Sequence, residues 1–196
     1  MERTKKESSP QQFRPFVIAM IGPVGSGKSH VARILAQKLG AAHLRTDDVR
    51  VRLRRRGQPM QYAVSAMRHR AEALLRRGMP VILDSDFVNP QKRRELKRLL
   101  APLGARSYFI EVGTPEPLIL ARLREKRYTA DDLFPNAGEA IRVYHVRKKF
   151  RAKFKPAVPS GRRFQPDFTV DNAKPLGPQI EMITTKILRS PPEARR

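Results

Sequence analysis

The chain has 196 residues, of which 40% are hydrophobic, and 41 Lys and Arg against 18 Asp and Glu give a net charge of +23. That length suits a single α/β domain, and the positive charge favours anionic partners such as nucleotides or nucleic acid. The chain has no cysteine, which excludes disulfides and thiolate metal sites. No apolar run approaches the roughly 18 residues that span a bilayer, so we expect a cytoplasmic protein that does not partner with membranes.

Apolar runs alternate with helical patterns along the chain, as is typical of a parallel sheet. The order starts with a strand at 16–21, a helix at 28–39, a weaker strand at 42–45 and a helix at 61–77. It continues with a strand at 81–84, a helix at 90–100, a strand at 107–112 and a helix at 115–127. A helix at 139–153, a strand at 168–172 and a helix at 180–188 complete it.

The same pattern predicts how the chain is divided. Residues 13–189 form one domain, with polar tails at 1–12 and 190–196 that we expect to be disordered. A stretch rich in Pro and Gly at 128–138 lies between two helices and indicates a lid at about 122–140.

A glycine-rich loop between the first strand and the first helix carries the clearest motif. Gly22, Gly27, Lys28 and Ser29 satisfy the pattern G-x-x-x-x-G-K-S. Glycines let backbone N–H groups point at phosphate oxygens, and the following helix adds its positive end. Lys28 is suited to the β- and γ-phosphates and Ser29 to Mg²⁺. The predicted nucleotide-binding residues for ATP or GTP are Gly22, Pro23, Val24, Gly25, Ser26, Gly27, Lys28, Ser29 and His30.

Acidic residues follow two of the predicted strands. Asp47 and Asp48 come after the second strand, where ligands bind in open α/β sheets. A carboxylate there can take the proton of an attacking hydroxyl, while Arg50 holds an anionic part of the acceptor; the alternative is a pair that caps the next helix. Asp84 ends the buried third strand and is the predicted Mg²⁺ ligand bordering the acceptor, with Asp86 as its rival.

Two groups of basic residues lie further along the chain. Arg122, Arg124 and Arg127 stand at the entrance to the lid, where planar guanidinium groups suit the charge of a transferred phosphoryl group. The later basic helix also contains aromatic residues, Tyr144 and Phe150 among them. These aromatics either stack on a nucleic acid in a basic groove or pack the helix against the sheet.

Together these segments resemble the P-loop kinases that include phage polynucleotide kinase and the zeta toxins, an AAA-type ATP-binding kinase domain. The resemblance rests on the loop at 22–29, the segments at 46–50, 78–84 and 116–127, and the strand at 167–172. It implies a P-loop NTPase three-layer α/β/α sandwich, a five-stranded parallel sheet in the order 2-3-1-4-5, and a helical lid.

The resemblance also implies roles for individual residues. Asp47 would be the general base, Arg50 a ligand of the substrate phosphate, and Arg122 or Arg127 the catalytic lid arginine beside Lys28. Asn172 would lie close to the adenine.

Three hypotheses for function follow. The first is an ATP- and Mg²⁺-dependent kinase that phosphorylates a hydroxyl, with a polynucleotide 5′-OH as one acceptor. The second keeps the chemistry but uses a nucleotide sugar or another small molecule. The third, from another class, is a nucleic-acid-binding ATPase without kinase activity, in which Asp47 only caps a helix.

Overall fold

The computed structural model describes residues 15–154 and 164–189, and its centre is a five-stranded parallel sheet. The order across the sheet is β2-β3-β1-β4-β5, which confirms the predicted topology. The strands are β1 Phe16–Ile21, β2 Ala42–Arg45, β3 Val81–Asp84, β4 Arg106–Gly113 and β5 Phe168–Asp171. The predicted tails at 1–12 and 190–196 lie outside the described residues.

The central strand β1 is buried along its whole length because both of its faces are covered. Successive side chains point to opposite faces of a strand, so β1 contributes to two separate cores. Ile18 and Met20 pack in a core with Leu35 of the first helix and Ile183 of the last. The alternate residues of β1 pack in the second core, which contains Val17, Ala19, Ile21, Met67, Ala71, Leu96 and Phe109.

Seven α-helices surround the sheet in the described part of the chain. They are α1 Lys28–Leu39, α2 Thr46–Arg55, α3 Ala63–Arg76, α4 Pro90–Leu100, α5 Glu116–Glu125, α6 Ala137–Ala152 and α7 Leu176–Arg189. Helices α1 and α7 cover one face, and α3 and α4 cover the other. Helices α5 and α6 pack on each other around Ile119, Leu123, Ala140 and Tyr144. The molecule is therefore a three-layer α/β/α sandwich, as predicted.

Helix α4 begins as its sequence indicates. Pro90 occupies the first turn, where its missing N–H costs nothing, and the Asn89 side chain caps the helix by accepting a hydrogen bond from the Gln91 N–H at 2.8 Å.

The sequence pattern does not predict helix α2, because apolar residues are sparse in it. Only Thr46 and Val51 are buried, among many arginines. Tertiary contact fixes its start, since the Thr46 hydroxyl lies 3.0 Å from the Met67 sulfur of α3.

In residues 15–154 and 164–189 no helix has the length and apolar character to cross a membrane.

Candidate active site

The glycine-rich loop connects the buried end of β1 to the N-terminus of α1 at the carboxyl edge of the sheet. Gly25 and Gly27 have φ angles of 78° and 83°, in the left-handed region that side chains disfavour. Gly27 is also the N-cap residue of α1, so the loop wraps the positive end of that helix. The Lys28 ammonium donates to the Pro23 carbonyl at 3.3 Å, which folds its side chain back over the loop.

Asn172, just after β5, braces this loop. Its Nδ2 donates to the Ser26 carbonyl at 2.7 Å, and the Thr114 hydroxyl after β4 donates to the same oxygen at 2.8 Å. A Cβ atom added at Gly27 would overlap the Asn172 amide. The Asn172 side chain therefore supports the loop backbone, and its predicted position close to the adenine stays a prediction.

Of the three lid-entrance arginines, only Arg122 reaches the loop. Its Nη2 donates to the Asn172 carbonyl at 3.3 Å, while its buried Nη1 lies close to Gly27 and finds no hydrogen-bond partner in the described residues. Arg124 and Arg127 are exposed, and neither lines the cleft described below. Of the two predicted alternatives, Arg122 is therefore the one near the loop, because Arg127 lies beyond the end of α5 and is exposed.

Asp84 ends β3 beside the loop and is almost completely buried. Its Oδ2 lies 3.3 Å from His43 Nε2 and 3.6 Å from Arg45 Nε, both on the adjacent strand β2. Burial alone would raise the pKa of Asp84, but hydrogen bonding from His43, the Lys28 charge and the Ser29 hydroxyl hold it below its ordinary value. Asp84 is therefore an ionised carboxylate next to the two functional side chains of the loop.

The donors at this point suit Mg²⁺. Ser29 and Asp84 offer hydroxyl and carboxylate oxygens, the ligand type that Mg²⁺ prefers. Nowhere in the described ranges do three His, Asp or Glu side chains gather as a metal site. The arrangement fits an ion that takes most of its ligands from phosphates and water, as Mg²⁺ does in phosphoryl-transfer enzymes.

Asp86, the rival to Asp84, has its carboxylate engaged elsewhere. Arg151 Nη1 lies 2.6 and 2.7 Å from its two oxygens, and the N–H groups of Gly22 and Val88 donate to Oδ1 at 3.3 Å. Arg151 comes from the end of α6 and is itself buried. Asp86 thus connects the start of the loop to α6.

Asp47 lies in the first turn of α2. Its Oδ1 accepts a hydrogen bond from Arg50 Nη1 at 2.7 Å, and its side chain is 48% exposed. The neighbouring Asp48 pairs instead with Arg45 at 2.9 Å. Neither carboxylate caps α2, because the N-cap position is Arg45 and no side-chain cap bond forms.

The loop, Asp84 and Asp47 line one cleft of about 810 Å³. This volume is in the range of pockets that hold drug-sized ligands. His30 is exposed at its rim, where Arg33 Nη2 lies 3.2 Å from His30 Nδ1. The P-loop residues and the predicted base and acceptor residues therefore share a single chamber.

The cleft is also lined by basic residues to which the sequence assigned no individual role: Arg45, Lys92, Lys126 and Arg147. They come from β2, from α4, from the segment after α5 and from α6, which meet only in three dimensions, so spacing along the chain gives no signal. Phe150 also lines the cleft and is 45% exposed, whereas Tyr144 is buried against α5. Tyr144 is thus a packing residue, although against α5 and not against the sheet, whereas Phe150 lies outside the buried cores.

The segment at 126–136, between α5 and α6, is tied to the end of α2. The Arg54 guanidinium donates to the backbone carbonyls of Ala130, Asp132 and Leu133 at 2.9–3.1 Å. Arg55 adds an ion pair to Asp131. These contacts hold the segment over the side of the cleft that contains Asp47.

The fold and the loop geometry define a P-loop nucleoside-triphosphatase domain. The family model of the AAA domain, designated AAA_33, matches residues 17–150, and the chain belongs to this family. Comparison with curated proteins gives no match.

Solved structures with the same fold include P-loop kinases. The APS kinase CysC of Mycobacterium tuberculosis, in complex with AMPPNP and APS, is 20% identical, with 90% of this chain and 99% of that chain covered and a TM-score of 0.59. A gluconokinase from Sinorhizobium meliloti 1021 is 17% identical, with 90% and 93% covered and a TM-score of 0.54. A protein of Chloroflexus aurantiacus is 19% identical, with 90% and 98% covered and a TM-score of 0.64.

Proposed function

We propose that the protein is an ATP-dependent kinase that transfers the γ-phosphoryl group to a hydroxyl of an anionic acceptor. The observation that carries this proposal is the shared cleft: the loop with Lys28 and the half-exposed Asp47 line the same chamber. A donor site alone would fit any P-loop protein. A half-exposed carboxylate just after the second strand is what a kinase needs in addition.

In the proposed reaction the loop N–H groups and Lys28 hold the phosphates of ATP. Asp47 accepts the proton of the acceptor hydroxyl as its oxygen bonds to the γ-phosphorus. The bond from that phosphorus to the β-bridging oxygen breaks, and ADP leaves with the electron pair. Arg122, with an unsatisfied donor close to Gly27, stabilises the charge on the transferred group.

Mg²⁺ bound through Ser29 and Asp84 would neutralise phosphate charge in this arrangement. Asp86 is assigned no such role, because Arg151 and two backbone N–H groups already engage its carboxylate.

For the acceptor, two observations support different candidates. The structural relatives named APS kinase and gluconokinase support a small molecule. Phe150, exposed beside Arg147 in the cleft, supports an acceptor with a flat ring, which includes the 5′-terminal nucleoside of a polynucleotide. Both candidates would accept the phosphoryl group in the same reaction. The proposed location of the protein is the cytoplasm, because ATP is the donor.

The test is incubation with γ-labelled ATP and a panel of small alcohols, sugar acids, nucleotide sugars and 5′-OH oligonucleotides. We expect label in at least one acceptor class. Label in none, together with ATP hydrolysis stimulated by nucleic acid, would contradict the kinase proposal and favour a nucleic-acid-binding ATPase.

Two variants give the test its specificity. Asp47→Asn should lower transfer by about 10²–10⁴-fold with ATP affinity retained, and Asp48→Asn is its matched control with little effect. Lys28→Ala should lower both nucleotide affinity and turnover. Full transfer by Asp47→Asn would rule out the general-base role.

A further inference from the structure

Three cationic side chains from three different helices meet on the acceptor side of the cleft. Arg50 comes from α2, Lys92 from α4 and Arg147 from α6, and all three line the chamber. Burial lowers the pKa of Lys92, and the charges of Arg50 and Arg147 lower it further. The two arginines are therefore close enough to Lys92 for their charges to act on it.

The nearby aspartates form ion pairs with other arginines and not with Lys92 or Arg147. Asp47 is paired with Arg50 at 2.7 Å, and Asp86 is paired with Arg151 at 2.6 Å. Across residues 15–154 and 164–189, neither Lys92 nor Arg147 has a hydrogen bond or a salt bridge. Asp86 and Glu95 oppose the lowering of the Lys92 pKa through their charges, Asp86 more strongly than either arginine promotes it, but neither forms a hydrogen bond or salt bridge with Lys92.

Two positive charges, both in half-buried positions, are thus held in one chamber without a hydrogen-bonded or ion-paired partner. A partly desolvated cation without a partner is unfavourable, and a bound anion removes this cost. A phosphate monoester at neutral pH carries close to two negative charges, which matches the two uncommitted cations. Arg147 and the free N–H groups of Arg50 also provide donors with the planar geometry that phosphate oxygens accept.

We infer that Lys92 and Arg147, with Arg50, form a binding site for a phosphate group already present on the acceptor. The inference rests on the proposed function: the substrate class becomes a phosphorylated alcohol, held by its phosphate so that a separate hydroxyl reaches Asp47. Phe150 follows Arg147 by about one helical turn and exposes its ring to the same chamber, where it can cover the carbon skeleton of that acceptor.

The site can be tested without catalysis, using inorganic phosphate as the probe. The full chain is first saturated with Mg²⁺ and AMPPNP, so that the donor site, including the γ-position, is filled. Calorimetric titration with phosphate should then show binding to the wild type and at least a tenfold weaker Kd for Lys92→Met and for Arg147→Met. Arg94→Met, an exposed position on α4 outside the cleft, is the matched control and should bind phosphate like the wild type.

Two results would overturn the inference: no phosphate binding by the AMPPNP-loaded wild type, or equal phosphate affinity in all three variants. AMPPNP affinity, measured on each variant, reports whether the donor site is intact.

A transfer assay separates this inference from the proposed function. Pairs of the same alcohol with and without a phosphate group are compared as acceptors. Preference for the phosphorylated member, lost in Lys92→Met, supports both the kinase proposal and the phosphate site. Equal transfer to both members of the pair, unchanged in Lys92→Met, refutes the phosphate site and retains the kinase. Phosphate binding with no transfer to any acceptor retains the phosphate site and refutes the kinase.

Discussion

The Arg151 guanidinium lies 2.6 and 2.7 Å from the two carboxylate oxygens of Asp86, and both side chains are largely shielded from solvent at 9% and 14% exposure. Through this pair the end of α6 is bound to the residue that accepts the Gly22 N–H at the start of the P-loop. The pair joins two parts of the chain that are remote in sequence.

We expect Arg151→Met to destabilise the fold by about 3–5 kcal/mol, because it leaves the Asp86 carboxylate buried and unpaired. Urea unfolding measures the change. The double variant Asp86→Asn, Arg151→Met should lower the free energy of unfolding by less than Arg151→Met alone, because Asn carries no charge but still accepts a hydrogen bond from the Gly22 N–H. A double variant that loses as much as the two single variants added together would contradict this account. Arg142→Met, on the exposed face of the same helix, should change stability little.

Gly27→Ala should impair nucleotide binding. The left-handed φ of 83° and the overlap with the Asn172 amide both oppose a side chain there. We expect at least a tenfold loss of affinity for a fluorescent ATP analogue, equivalent to about 1.4 kcal/mol. Gly40→Ala is the matched control, because Gly40 is also left-handed at 59° but has open space around it. It should lose about 1 kcal/mol of stability and no nucleotide affinity; equal affinity losses in the two variants would show that the Asn172 contact is unimportant.

Asp84→Asn should uncouple nucleotide binding from Mg²⁺. The variant removes the charged oxygen beside Ser29, and we expect phosphoryl transfer to fall about 100-fold or more. The measurement is the Tm shift caused by ADP with and without Mg²⁺: the metal should add stability in the wild type and add little in the variant. Glu95→Gln, outside the P-loop wall, should retain the full Mg²⁺ effect. A normal Mg²⁺ effect in Asp84→Asn would place the metal elsewhere.

Lys92 should make stability rise with pH in the alkaline range. Burial and the charges of Arg50 and Arg147 lower its pKa in the folded state, against the opposing charges of Asp86 and Glu95. Between that lowered pKa and the ordinary lysine value the unfolded chain binds more protons, so stability increases as pH rises through this window. At pH 7–8 the charged side chain therefore costs stability.

Lys92→Met should accordingly raise the Tm at pH 7–8, by roughly 2–4 °C if the cost is about 1 kcal/mol. The advantage should shrink as the pH approaches 10–11. Lys97→Met, at an exposed position of the same helix, is the matched control and should change the Tm little. A lower Tm for Lys92→Met at pH 7–8 would contradict the prediction. A variant that is more stable yet binds phosphate more weakly would identify Lys92 as a residue retained for binding.

The local motifs were predictable from the sequence, and the contacts between distant segments were not. The strand pattern and the loop at 22–29 each depend on neighbouring residues, so periodicity and spacing predict them well. The position of Asp84 follows from its place at the end of an apolar strand. The ion pair of Asp86 with Arg151 depends on where α6 ends relative to β3, and no local sequence pattern predicts that position.

The arginines at the lid entrance illustrate the same limit. Composition could not separate Arg122 from Arg127, because both suit the role chemically. The structure distinguishes them because α5 places Arg122 against Asn172 and ends before Arg127, which is exposed. Lys92 gave no signal in the sequence either, since it looks like one more basic residue of a basic helix.

The contact from Asn172 to the Ser26 carbonyl has a consequence for how the protein matures. The P-loop is synthesised before its brace, because Asn172 follows Ser26 by 146 residues. A nascent chain that stops at residue 150, where the family match ends, holds the whole motif without the amide that supports it. We therefore expect nucleotide to bind such a chain weakly, and tight ATP binding to arise only once translation has passed Asn172.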